Sequence, residues 1–194
     1  MKNILVLLLL VLPECIWAQS YSVKKLGAME GLSNNNVLSI AQDKQGYLWF
    51  ATEEGLNKFD GTRFMTYYKN DLSQSSQGIT GNELNRVYAD NKRPIIWIAT
   101  QRDGLNAYNG RSFKTYSYNK KNAGSISNNV IWQIIEQNDS VLWVSTDYGV
   151  NRWKRSTQQF TPYYLGTQNN PPKQEKSFLL DITSGKHIIC YVKE

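Results

Sequence analysis

The 194-residue chain is poor in the side chains that most often carry catalysis. Its one histidine, His187, has no serine, aspartate, cysteine or second histidine at a spacing that would build a triad or a metal site, so neither chemistry is expected of it. The glycines never form a phosphate-cradling loop ahead of a helix, and no pair of carboxylates recurs at points where glycosidic chemistry would need them. Four other residues stand out: Arg86, Arg102, Trp132 and Tyr148. Two guanidinium forks and two rings able to stack on a flat apolar face are the equipment for holding a sugar-like ligand, not for turning it over. The expectation is a binding chain and not an enzyme, with no catalytic residue, no cofactor and no metal.

These four residues are singled out by the repeats that carry them. Leu48-Trp49-Phe50-Ala51-Thr52, Ile96-Trp97-Ile98-Ala99-Thr100 and Leu142-Trp143-Val144-Ser145-Thr146 place their tryptophans 48 and then 46 positions apart. Each is followed by Gly-Leu-Asn or Gly-Val-Asn, at Gly55, Gly104 and Gly149, and an aromatic stands four residues past each glycine, at Phe59, Tyr108 and Trp153. Every unit closes on F-x-x-Y, beginning at Phe64, Phe113 and Phe160. Aligned on the tryptophans, the preceding segments put Leu38, Asn85 and Trp132 at one position and Ser39, Arg86 and Gln133 at the next. The second unit also has an extra turn residue, Gln101-Arg102-Asp103 before Gly104, where the third has Asp147-Tyr148 before Gly149. Positions whose chemistry differs within an otherwise constant repeat are the natural place for ligand contacts.

The punctuation of one unit predicts four strands, at Val37 to Gln42, Leu48 to Thr52, Leu56 to Phe59 and Arg63 to Tyr68. Asp60-Gly61 and Asn109-Gly110 read as two-residue type I′ hairpin turns, which need positive φ at both central residues. The third unit has Arg155-Ser156-Thr157 there and a longer loop. A lone four-stranded sheet cannot bury both faces, whereas a period of about 45 residues suits sheets stacked radially as blades. The fold class is therefore all-β: a partial β-propeller of three four-stranded antiparallel blades with a degenerate start of a fourth. The expected boundaries are 31–78, 79–124 and 125–165 for the blades and 166–194 for the tail, where Phe178 to Ile182 and His187 to Val192 read as strands. The recurring tryptophans should fill the space between neighbouring blades.

Ahead of the repeats, Lys2, an apolar run from Ile4 to Leu12 and Ala18 have the parts of a secretory signal peptide over residues 1–18, with cleavage expected after Ala18. The run is about half the ~20 residues of a spanning helix. Export would leave Cys190 as the one thiol, which forbids an intrachain disulfide. The net charge of +6 comes from pairs such as Lys24-Lys25, Lys92-Arg93, Lys120-Lys121 and Lys154-Arg155, scattered over strand ends and turns. That is the pattern of a solvated basic surface, and a nucleic-acid partner is not expected.

Gly31-Leu32-Ser33-Asn34-Asn35, followed by Asp43, Gly46, Leu48-Trp49, Thr52, Gly55-Leu56, Phe59-Asp60-Gly61 and Phe64, resembles the two-component regulator propeller repeat of Bacteroidetes hybrid two-component systems. The resemblance implies the periplasmic, glycan-sensing part of such a regulator. It also implies that residues 19–30 form an outer strand closing the ring. Three blades cannot close one, so a truncated N-terminal piece lacking kinase and DNA-binding domains is expected. Its partners would be an oligosaccharide, the remaining blades of a full-length sensor or another protein, and further copies of itself. The alternative is a freestanding exported propeller scaffold for protein-protein interaction. Asp43-x-x-Gly46-x-x-Trp49 is also similar to the turn motif of sialidase-type propellers, but its spacing differs, which makes a glycosidase the weakest reading.

Overall fold

The computed structural model describes residues 22–69, 78–164, 177–183 and 187–193, the last two stretches as backbone only. The leader expected over residues 1–18 lies outside them. The first sheet is β1 (Val37–Gln42), β2 (Leu48–Thr52), β3 (Gly55–Phe59) and β4 (Phe64–Tyr67). The second is β5 (Leu84–Ala89), β6 (Ile96–Thr100), β7 (Leu105–Tyr108) and β8 (Phe113–Tyr116). The third is β9 (Ile131–Asn138), β10 (Val141–Thr146), β11 (Gly149–Lys154) and β12 (Gln159–Tyr163). Each quartet is an antiparallel meander in chain order. A two-stranded sheet of β13 (Ser177–Thr183) and β14 (His187–Lys193) follows.

The second strand of each blade is apolar on both faces because neighbouring layers cover both, and β6 is buried along its whole length. β5 lies against β1 and β2, β9 against β5 and β6, and β13 against β9 and β10. The first strand of the tail sheet thus takes the place that a fourth blade's first strand would take. Trp49 stacks on Tyr67 at 5.9 Å and meets Tyr108 of the next blade at 5.7 Å. Trp97 stacks on Tyr116 at 5.9 Å and meets Trp153 edge to face at 4.8 Å. Both tryptophans fill the inter-blade space, as their recurrence predicts. Trp143, half-buried, pairs with Tyr163 of its own blade.

Buried polar side chains repeat as faithfully as the tryptophans. Ahead of each first strand a short strap inserts an apolar residue, Leu32, Ile79 or Ile126, into the core, and a hydroxyl follows it. In the first blade the Asn57 amide donates to Ser33 Oγ at 2.7 Å while its Oδ1 accepts the Ser33 N–H at 3.0 Å. Asn151 treats Ser127 in the same way at 2.8 and 2.9 Å, and the Asn106 amide donates to Thr80 Oγ1 at 2.9 Å. Thr52, Thr100 and Thr146 donate to the carbonyls of Gly55, Gly104 and Gly149 across the turn. These contacts pin strap, second strand and third strand together; they are a structural device, not a nucleophile constellation.

Residues 22–26 carry no regular secondary structure and lead into a 3-10 turn at Ala28–Glu30, capped by Gly31; the outer strand expected over 19–30 would pair with a last blade, which is not among the described residues. One expectation is corrected: the hairpin turns differ from type I′, because only Gly61 and Gly110 in them have positive φ. Asp60 Oδ1 accepts the N–H groups of Thr62 and Arg63 at 2.8 and 2.9 Å, and Asn109 Oδ1 those of Arg111 and Ser112 at 2.9 Å. Side-chain acceptance closes a four-residue loop, so the first residue keeps negative φ.

Candidate functional site

Every blade has two ends. The upper end holds the start of the first strand and the turn from second to third; the lower end holds the other two turns. The first strand pairs with the second through a bulge at the same place in all three blades. Register jumps from Val37 to Ser39, from Leu84 to Arg86, and between the partners of Ser145 and Thr146, so that Leu38, Asn85 and Trp132 are the extra residues. A bulge re-aims a side chain and ends regular pairing. The position held by leucine, asparagine and tryptophan in the three blades is therefore the one each sheet pushes out of register.

All four residues singled out in the sequence lie at this upper end. Trp132 is 36% exposed on its bulge, and its indole N–H donates to Asp147 Oδ1 at 2.6 Å, which ties the ring to the β10–β11 turn that carries Tyr148. Tyr148 is half-buried, its backbone N–H donating to Thr146 Oγ1 at 3.2 Å. Arg86 and Arg102 belong to the second blade and are exposed; Arg102 Nε stands 4.0 Å from Glu83 Oε2. The structure joins Trp132 and Tyr148 through Asp147 and sets both arginines, Arg102 beside Glu83, on the exposed surface of the second blade. Sequence reasoning missed Asp147, because an acidic turn residue looks like any other. It also missed two links between blades, Asn85 Nδ2 donating to the Ile131 carbonyl at 2.8 Å and Ser39 Oγ bridging to Val87. Leu38, at the bulge, is 42% exposed, and Ile40, paired with Phe50 midway along β1, is 58% exposed.

The lower end gathers charge. Arg155 Nη2 stands 2.6 Å from Asp90 Oδ2, and the Asp90 side chain is fully buried. Arg155 Nε donates to the Asp139 carbonyl at 2.7 Å, and Lys92 pairs with the Asp139 carboxylate at 2.5 Å, which holds that carboxyl below its usual range. Tyr88 donates to Glu136 Oε2 at 2.6 Å; burial first, then this carboxylate, push its phenol up from 10.0. Lys92, Arg93 and Arg155 are thus brought together across two blades, facing the carboxylates of Asp90, Glu136 and Asp139. Among the described residues no group of three or more His, Cys, Asp or Glu side chains could hold a metal, and no helix is long and apolar enough to cross a membrane.

Residues 31–54 match the two component regulator propeller family. The chain is 50% identical to the extracellular domain of the hybrid two component system BT3049 of B. thetaiotaomicron, at a TM-score of 0.72, over 80% of this chain and 23% of that one. A second extracellular domain from that organism, of the hybrid system BT4673, shares the fold at a TM-score of 0.62 and 20% identity, over 83% of this chain and 22% of that one. A 57-residue stretch is 42% identical to histidine kinase P4 of Formosa agariphila, covering 29% of this chain and 4% of that protein. The chain spans less than a quarter of the length of these relatives.

Proposed function

We propose that this chain, a two component regulator propeller protein, supplies blades to the exported, ligand-reading part of a hybrid two-component regulator and takes an oligosaccharide at the upper end of those blades. The observation that carries the reading is the recurring bulge. Three sheets keep one scaffold of tryptophans, straps and turns, yet place leucine, asparagine and tryptophan at the bulged position, where Leu38 and Trp132 are exposed and Asn85 bonds to the next blade. Trp132 offers a ring face for stacking, its N–H already satisfied by Asp147, and Tyr148, Arg86 and Arg102 offer donors around it. The likeness to extracellular sensor domains supports an exported setting, and the leader-like residues 1–18 agree with it. The chain would be silent without the kinase and DNA-binding parts of a longer regulator.

The test is isothermal titration of the purified chain with defined oligosaccharides cut from xylan, pectin, cellulose and glycosaminoglycan. At least one should bind saturably. Trp132→Ala should weaken it by tenfold or more, about the 1.4 kcal/mol of a lost stacking contact. Binding unaffected by Trp132→Ala, Tyr148→Ala and Arg86→Ala would overturn the site. No binding across the panel would favour the scaffold reading, in which the same exposed surface meets a protein.

A further inference from the structure

A second feature breaks the repeat, at the lower end between the second and third blades. In the first blade the acid after the first strand caps the tryptophan, Trp49 Nε1 donating to Asp43 Oδ2 at 2.7 Å. In the third, Gln137 Oε1 accepts from Trp143 Nε1 at 3.0 Å. In the second blade Asp90 holds that position, but its Oδ1 accepts the N–H groups of Lys92 and Arg93 and its Oδ2 is taken by Arg155. Trp97, 1% exposed, is left with an indole N–H that has no acceptor among the described residues. Trp153, standing where the other blades have Phe59 and Tyr108, adds a second buried N–H without an acceptor.

Both rings line a cavity of about 280 Å³ between the blades, together with Tyr116, Arg93, Lys114 and Arg155. Arg93 and Lys114 pair with no carboxylate among the described residues, and the Arg155 guanidinium lies 5.4 Å from the Trp153 ring centre. The equivalent cleft between the first and second blades holds about 180 Å³ and is lined by Asp43 and a single cation, Lys58. From one cleft to the next an acceptor is lost, and donors, cations and room are gained. Structural repetition alone gives no reason for all of these to change at one place.

We propose that this cleft binds a small ligand joining a carboxylate to a ring with an apolar face, a compound of the sugar-acid class. Arg93 and Lys114 meet the carboxylate through charge-assisted hydrogen bonds, and the half-buried ring of Tyr116 takes the apolar face. The volume, just below the roughly 300 Å³ at which ligand pockets usually begin, admits one ring and not a chain of them. The cleft is separate from the upper end and does not depend on the oligosaccharide reading.

The test follows tryptophan fluorescence of the purified chain on addition of glucuronate, glucose or inorganic sulfate. Glucuronate should change the emission saturably, while glucose and sulfate should bind at least tenfold more weakly. Arg93→Ala with Lys114→Gln, both away from the sealed core, should weaken glucuronate by tenfold or more, and the exposed Lys114→Gln alone by a few fold. Trp132→Ala should leave glucuronate unchanged, which separates this cleft from the upper end. Equal binding of glucose, equal binding of sulfate, indifference to the double variant or the absence of saturable glucuronate binding would each overturn the proposal.

Discussion

Trp97 touches both its own blade and the next, and a residue in that position answers for two interfaces. Its truncation to alanine should cost roughly 3 to 5 kcal/mol in urea denaturation, and Trp143→Ala distinctly less because that ring is only half-buried. The contribution of Asp90 is of another kind: removing it leaves Arg155, 15% exposed, with only Glu136 at 3.8 Å as a carboxylate and strips the Lys92 and Arg93 N–H groups of their acceptor, so Asp90→Ala should cost about 3 kcal/mol although no apolar contact is lost. Burial raises the phenols of Tyr67, Tyr88 and Tyr116, the last to about 12 from 10.0. The folded state then holds protons that the unfolded state releases, so their stabilisation is complete below pH 10.0 and falls as pH rises, that of Tyr116 through about 12 and those of Tyr67 and Tyr88 at still higher pH. Tyrosinate absorbance should lag behind that of the denatured chain, and the melting temperature should fall over that window. The inter-blade role of the tryptophans was legible because a packing residue recurs with the repeat. The Asp90–Arg155 pair was not: Asp90 occupies the slot of Asp43, and the partner that redirects it lies 65 positions away in another blade.

Straps and turns decide how well each element is held. Asn106 is fully buried and serves Thr80 and Thr115 at once, so Asn106→Ala should cost roughly 1 to 3 kcal/mol for each polar group left without a partner. Two glycines separate backbone strain from crowding. Gly61 has φ of 98° and no atom within 4 Å of the place a Cβ would take, so Gly61→Ala should cost about 1 kcal/mol of strain. Gly149 has φ of 137°, and a Cβ there would lie 2.5 Å from the Tyr163 carbonyl in the neighbouring strand, adding roughly 1 to 3 kcal/mol as the sheet is forced aside. Thermal melts of the two variants should rank them in that order. Strand positions were readable because glycine, asparagine and aspartate punctuate the apolar runs. The turn type was misread because a dipeptide does not reveal that the aspartate or asparagine side chain will close the loop. The bulges were invisible, since an extra residue in one strand shows only against its partner's register.

At the scale of the molecule, stacking accounts for both stability and exposure. Three sheets have four strands and the described fourth has two, so Trp143 and the 48% exposed Tyr163 meet no outer strand of a following sheet. Repeat arrays draw much of their stability from neighbour interfaces, and exposed sheet faces favour pairing between copies. Residues 19–194 should therefore elute in a concentration-dependent way on size-exclusion chromatography and melt broadly; a monodisperse monomer with a sharp transition would contradict this. The upper end makes the stronger demand, because the proposed ligand reading rests on Trp132, exposed where the other tryptophans among the described residues hold blades together. Indole N–H resonances distinguish them in one spectrum: Trp49, Trp132 and Trp143 are bonded to Asp43, Asp147 and Gln137, while Trp97 and Trp153 have no acceptor among the described residues. The decisive measurement is that spectrum during titration with an oligosaccharide that binds. The account predicts that the Trp132 resonance moves with saturation while those of Trp49 and Trp143 stay in place, and a Trp132 resonance that does not respond to a bound oligosaccharide would contradict it.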